Sequence, residues 1–558
     1  MASSANLPAP ASATPPEMRG LIGDSRIVAL GALVSRITGF GRMAAAAAVL
    51  GPTFFGNLFQ TTATLPNTIF LAAIGTLLAA ILVPPLVQHS HHGGPAGLRR
   101  FAGAVLGMML VELVGIGMLS ALASPLLLRA LTVGVTDPTI RDQQMRLGLP
   151  LLLLVMPQVA LYGIAGIGMA VQQAQCRFAL AAFAPGLENL INIAVLVASA
   201  LLFGVGADVA AIRLPNLLLL GGGSTVAVAA HAAMQWYGAY RAGVPLWPRL
   251  DWRDPDVRLV LQRSIASVGY VGCNFLAFLL LLVIAGAIPG GVAAVQITHN
   301  LVKFPVAMSA IALGSAQLPR LSACVQRQDI QAFGSIYESG LRLILFIAVP
   351  AAVMLAGVPD VFAGATAFGA MKTPAGIALI AACLGGRGLG VIGDAAFVFS
   401  TSASYARHDT SAPLYGMGLR LLLTTIGALA VQQLAEPGPS LVWWLGVVLC
   451  VADLAAGYYL SRRVRASLPT AVIANSGLLR ALMVAGIALL PTLGLTHWFG
   501  NVSALTSLSR VGLALSALGL TVVVYLVVQH LRGSHELRLL LPLPGDRWSP
   551  ATKAPVKP

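Results

Sequence analysis

The residues of this chain that could do chemistry are charged side chains set in apolar surroundings. Arg36 and Arg42 interrupt the run SRITGFGRMAAAAAVLG (35–51), Lys303 follows Gln296, His299 and Asn300, Arg387 and Asp394 share another run, and Glu112, Glu188 and Asp453 stand in others. An ionisable group inside a membrane span is costly and faces a cavity or a partner, so each is a functional candidate. The set leans towards cations. Guanidinium groups recognise phosphate oxygens with paired donors, so a cavity lined this way suits an anionic head group, above all a phosphate or diphosphate. Arg36 lies near the middle of its run, where the alternatives are a cavity or an internal salt bridge with Glu112. Arg42 is six residues on, about 9 Å along a helix axis and on a different face. Lys303 precedes Phe304-Pro305, where a proline frees a backbone carbonyl, and it closes the densest polar cluster of any span. Seven residues separate Arg387 from Asp394, two turns along one helix face, which fits a structural ion pair or a switchable gate. Arg342, Arg420 and Arg480 lie close to span ends and are expected only to snorkel to the interface.

Other motifs carry no chemistry. Gly388, Gly390 and Gly393 in GLGVIG spell a GxGxxG, but a dinucleotide site needs a preceding strand in a soluble βαβ unit, so helix packing or a hinge explains the glycines better. His89, His91 and His92 have no neighbouring carboxylates for a metal. Five scattered cysteines without a CxxC pair are apolar fillers. HExxH, Walker A, GxSxG and kinase signatures are missing from the sequence, so neither an enzyme nor a cofactor is expected.

The elements that must position these charges are membrane helices. Of the 558 residues 57% are hydrophobic and 9% charged, which leaves no polar surface to enclose a water-soluble core. We read about fourteen apolar stretches of helical rather than strand length, and hence an all-α polytopic membrane protein. The net charge of +15 does not indicate nucleic acid, because the arginines gather at every second connection, where positive charge sets orientation. Both termini are therefore expected in the cytoplasm, the chain crossing the membrane many times. The expected organisation is a disordered leader (1–20), a six-span lobe (21–240), a basic linker (241–258), a second six-span lobe (259–466), two extra helices (467–531) and a basic tail (532–558).

An internal repeat supports two lobes. LPNTIFLAAIGTLLAAILVPPL (65–86) and KFPVAMSAIALGSAQLPRL (303–321) each carry an early proline, a small-residue middle and a late proline, in second and eighth place. CRFALAAFAP (176–185) and YARHDTSAP (405–413) likewise join an arginine to a proline that opens the next helix. Both pairs imply an offset of six spans, a transporter architecture with the substrate site between the repeats.

SRITGFGRMAAAAAVLG (35–51), LPN (65–67), VP (83–84), RFALAAFAP (177–185), FP (304–305), GLRLILFIAVPAAV (340–353) and YARHDTSAP (405–413) together resemble the MurJ/MviN family of the MOP exporter superfamily, over about the first 460 residues and in matching order. The resemblance implies flipping of lipid II, the undecaprenyl-diphosphate-linked peptidoglycan precursor, by alternating access, with the head group in a cationic cavity and a groove for the lipid tail on the two extra helices. Arg36 and Arg42 match the family's first-helix arginines, and Pro185 and Asn189 its fifth-helix pattern. Other positions depart. The family's acidic residue at the start of the second helix falls on Asn57, that helix's arginine on Phe70, and its small-Glu-Gly stretch on Ile74–Gly75–Thr76. The eighth-helix Arg and Glu fall on Asn300 and Lys303, so Lys303 is expected to replace the arginine one turn along.

The expected substrate-binding set is thus Arg36, Arg42, Lys303, Asn300 and Asn57, with Arg387, Asp394 and Glu112 as coupling or gating groups. An inside-negative potential favours outward movement of an anion by about 2.3 kcal/mol per charge per 100 mV; proton or sodium coupling through Glu112, Asp394 or Asp453 is the alternative. The expected partners are a polyprenyl-diphosphate-linked glycan, membrane lipids and cell-wall synthesis proteins. Three rivals stand beside lipid II transport: another polyprenyl-linked oligosaccharide as cargo (teichoic acid, capsule), a transport-inactive scaffold for wall synthesis, and a cation-coupled drug exporter, which predicts an acidic cavity.

Overall fold

The computed structural model describes residues 15–74, 78–469 and 477–540; the first fourteen residues of the expected leader, the position Gly75–Thr76 and the tail beyond 540 lie outside them. Every described element is helical. The helices that matter below are α1 (Pro15–Leu50), α2 (Phe54–Ile74), α3 (Leu78–Leu122), α4 (Pro138–Val155), α5 (Gln158–Ala174), α6 (Phe178–Phe203), α7 (Gly223–Arg241), α8 (Pro255–Ala285), α9 (Gly291–Val306), α10 (Ala312–Gln326), α11 (Ile330–Gly357), α12 (Pro374–Arg387), α13 (Gly390–Ala406), α14 (Ser411–Leu434), α15 (Pro439–Arg465), α16 (Leu478–Phe499), α17 (Ser507–Leu531) and α18 (His535–Leu540). Among the described residues eleven helical spans are long and apolar enough to cross a membrane, or twelve with the bent pair α12–α13. The expected count of about fourteen is not reached on that measure. Helix α1 starts at Pro15, inside the segment expected to be disordered, with proline at a first helical position where its missing N–H costs nothing.

The chain forms two compact units, Met1–Ala293 with Gly369–Met371, and Ala294–Phe368 with Lys372–Pro558. Helix α8 packs on α2 and α3 and so belongs to the first unit, whereas the sequence reading opened the second lobe at 259. The tie is chemical. Asn57 on α2 donates from Nδ2 to the carbonyls of Gly286 (3.3 Å) and Ile288 (2.6 Å), and its Oδ1 accepts the Val292 N–H (3.2 Å). The segment expected to be a linker is also held in place: Arg99 donates to the Gly243 carbonyl (3.0 Å), the Arg249 N–H to the Gly103 carbonyl (2.9 Å), and Arg100 pairs with Asp251 at 3.4 Å. Glycine at 107 is required because a Cβ there would collide with the Arg249 backbone.

The same turn recurs at matching connections of the expected six-span repeat. The α5–α6 connection turns at Cys176 (φ 53) and the α13–α14 connection at His408 (φ 59). In each, the residue with positive φ donates its N–H three residues back and the next residue donates five back: Cys176 to Gln173 and Arg177 to Gln172, His408 to Tyr405 and Asp409 to Ser404. This is a helix-ending motif that leaves the chain poised to start the next helix at once. Gln328 (φ 56) between α10 and α11, and Gly94 (φ 58) at the break within α3, stand at the other matching pair of connections.

In the second unit, a core around Tyr337, Phe399, Ile344, Val349 and Leu384 joins α11, α12 and α13. Glu338, 2% exposed, receives Arg465 through two bonds of 2.6 and 2.9 Å, so one arginine of the cluster read as an orientation signal is also a fastener between α11 and α15.

Candidate functional site

Helix α15 carries Asp453 to the centre of the second unit because glycines let it lie backbone to backbone against α12 and α13. A Cβ at Gly386 would collide with the Trp443 carbonyl, one at Gly393 with the Asp453 backbone, and one at Gly457 with the Gly393 carbonyl. Small residues of this kind are how membrane helices approach closely. The GLGVIG glycines therefore serve packing and lie at a bend, where α12 and α13 meet at 55°.

That bend rearranges the expected ion pair. Arg387 and Asp394 were read as two turns along one helix, but they sit on either side of the break and do not pair among the described residues. Asp394 instead takes Lys303 of α9, Nζ to Oδ2 at 2.6 Å. Arg387 turns to Asp453, 3.5 Å from Nη2 to Oδ2, and donates from Nη1 to His299 Nδ1 at 3.3 Å. Arg420 of α14, expected only to snorkel, pairs with the other oxygen of Asp453 at 2.7 Å. Its position near the end of an apolar run hid the carboxylate that holds it inward.

The cluster thus has three cations, Lys303, Arg387 and Arg420, against two carboxylates, Asp394 and Asp453, with an excess of one positive charge when His299 is neutral. Access to it is uneven. The side chains of Arg387, Asp453 and Asp394 are at most 3% exposed and that of Arg420 6%, whereas Lys303 is 32% exposed. The accessible end is therefore the lysine ammonium. Asn300, one turn before it, donates to the Gln296 carbonyl of its own helix at 3.0 Å and is exposed.

In the first unit, α1 and α6 pack through small residues: a Cβ on Gly31 would run into Ala182, and one on Gly186 would press on Val34. Asn189 of α6 fixes the register by donating to the Ser35 carbonyl and to Thr38 Oγ1, both at 3.3 Å. These contacts bracket Arg36. Arg36 is exposed and Arg42 half-buried, and among the described residues neither forms an ion pair; Glu112 is not a partner of Arg36. Glu188 lies within electrostatic range of Arg42. Its own oxygens are already engaged, Oε1 accepting the Tyr162 hydroxyl (2.9 Å) and Oε2 accepting from His231 Nδ1 (2.7 Å). This buried triad spans α5, α6 and α7 and was not grouped from sequence; the signal available was that an acid inside a span must find partners.

Asn57 does not act as an open ligand group, since all three of its bonds go to the backbone between α8 and α9. Phe70, at the place of a family arginine, is buried and stacked on Tyr162 with ring centroids 5.9 Å apart. Both side chains are thus taken up in packing rather than left open.

A family model described as "Lipid II flippase MurJ" matches residues 46–509, which leaves Arg36 and Arg42 just outside the matched segment. A probable lipid II flippase MurJ of Rhizobium tropici is 27% identical over 75% of this chain and 77% of its own length. The lipid II flippase MurJ of Burkholderia cenocepacia is 23% identical over 84% and 87%. Among solved structures, a lipid II flippase MurJ in an inward closed conformation aligns over 90% of this chain and 98% of its own, with a TM-score of 0.69 and 14% identity. A multidrug resistance MATE family transporter of the MOP superfamily aligns over 77% and 95%, with a TM-score of 0.61 and 13% identity.

Proposed function

Because the chain belongs to the lipid II flippase MurJ family, we propose that it is a multi-pass transporter that moves lipid II from the inner to the outer leaflet of the bacterial cytoplasmic membrane by alternating access. The match over residues 46–509 carries this reading. The charges supply the chemistry. Arg36 and Arg42 offer guanidinium donors without ion-pair partners among the described residues, and Lys303, though paired with Asp394, is the accessible cation of a cluster with one positive charge in excess; both suit a diphosphate, which needs paired donors and charge neutralisation. The residues therefore act by binding and releasing an anion. An inside-negative membrane potential drives that anion outward, with both termini on the cytoplasmic side, where the arginine-rich connections lie.

A cation-coupled drug exporter needs an accessible acid. In the second unit Asp394 and Asp453 are both closed by cations, which disfavours that use. A second cargo, another polyprenyl-diphosphate oligosaccharide, is favoured by the conversion of family charge positions at Asn57 and Phe70 into packing. Cells depleted of their own lipid II flippase distinguish the two: expression of this chain in the membrane is expected to restore growth and outer-leaflet lipid II. Failure at normal membrane levels, with rescue instead of a strain lacking a different polyprenyl-diphosphate flippase, would transfer the proposal to that cargo.

A further inference from the structure

Away from these charges, the second unit contains a cavity of about 410 Å³ where α11, α16, α17 and α18 converge. Three arginines line it, Arg342 of α11, Arg480 of α16 and Arg532 just after α17, with a single carboxylate, Glu536, and an apolar wall of Leu345, Phe346 and Val484. Sequence reasoning assigned Arg342 and Arg480 to snorkelling alone. Three cations from three separate elements converging on one hollow is a different situation. Among the described residues none of the three arginines makes an ion pair, and the excess in the hollow is two positive charges.

Two independent features point to the same ligand. Ser534 in the wall has a buried Oγ with no hydrogen-bond partner among the described residues. The N-terminus of α16 also opens here: Gly477, its N-cap, lines the cavity, adopts φ 61 and offers no side-chain cap. Gly477 has no side chain with which to cap the first-turn N–H groups, which stand at the positive end of a 22-residue helix. Guanidinium groups, a hydroxyl and a helix N-terminus together make an anion site, and phosphate oxygens satisfy all three.

We propose that this cavity is a binding site for a phosphate group, separate from the transport charges and clamping α11, α16 and α17 together at their arginine-rich end. The apolar wall continues the site from the phosphate into hydrocarbon, the chemistry of an anionic phospholipid head with its glycerol and first acyl carbons. Inorganic phosphate shares the head-group chemistry but makes no use of that wall. The test uses the purified full-length protein and dioctanoyl-phosphatidylglycerol, the phosphatidylcholine counterpart and inorganic phosphate as separate probes, read by native mass spectrometry and thermal shift. The wild type is expected to bind phosphatidylglycerol and gain thermal stability. Arg480→Ala/Arg532→Ala, which removes two exposed side chains, is expected to keep its fold and lose affinity about tenfold or more. If inorganic phosphate alone gives the same stabilisation and the same loss in the variant, the site stands with a soluble phosphate as its source. Equal binding of phosphatidylglycerol to wild type and variant, or equal binding of phosphatidylcholine and phosphatidylglycerol to the wild type, would overturn the proposal. Ser534→Ala, expected to weaken binding by a smaller factor, separates the cavity from a diffuse charge effect.

Discussion

Asp453→Ala is expected to be the most damaging single substitution in the second unit. One carboxylate, 1% exposed, faces Arg387 at 3.5 Å and Arg420 at 2.7 Å, and both arginines are buried. Its loss removes the carboxylate that both guanidinium groups pair with in a low-dielectric interior, and breaking a buried pair from one side costs roughly 3–5 kcal/mol. Purified protein should show a clear drop in thermal midpoint and a poor yield of monodisperse material. Replacing all three charges with apolar residues of similar size, as in Arg387→Met/Arg420→Met/Asp453→Leu, should recover much of that loss, because the desolvation of the ions disappears with them. An Asp453→Ala protein as heat-stable as the wild type would mean that the carboxylate is not what holds the two arginines.

Lys303 gives the second large effect, and its ion pair dictates the design. Lys303→Ala alone strands Asp394, which is 3% exposed, so any loss of transport in that variant mixes folding with function. Lys303→Ala/Asp394→Ala removes both charges, leaves the excess charge of the cluster at one, and confines it to Arg387 and Arg420, which are buried. The double variant is expected to regain the thermal midpoint lost by the single one. Its lipid II flipping in proteoliposomes should nevertheless remain about tenfold or more below wild type, the worth of a charge-assisted contact. Recovery of flipping along with stability would make Lys303 a structural partner of Asp394 and nothing more.

The sequence reading located the charges well and paired them poorly, for a physical reason. Periodicity and apolar run length place helices, so the all-helical, many-span architecture and the charges that interrupt its spans were legible. Pairing depends on which helices touch and at what angle. Arg387 and Asp394 were joined by counting along one straight helix, but Gly388 and Gly390 flank a 55° bend, and the pairing went to other helices. Arg420 was judged by its distance from a span end, and Asn57 by the charge it replaces in the family. In both cases a tertiary partner decided the role: Asp453 for the one, the α8–α9 backbone for the other. The boundary expected at 259 failed similarly, because α8 follows its contacts with α2 and α3 and not the repeat.

In the proposed transport accessible positive charge receives the diphosphate of a lipid-linked glycan, and Arg36 and Arg42 are the groups where charge separates most cleanly from folding. The direct measurement is the affinity of purified lipid II for the wild-type protein and for Arg36→Ala/Arg42→Ala, made beside the thermal midpoints of both. With each charge-assisted hydrogen bond worth about 1.5–3 kcal/mol, binding is expected to weaken by at least about tenfold at an unchanged midpoint. Equal affinity in the two proteins would contradict it.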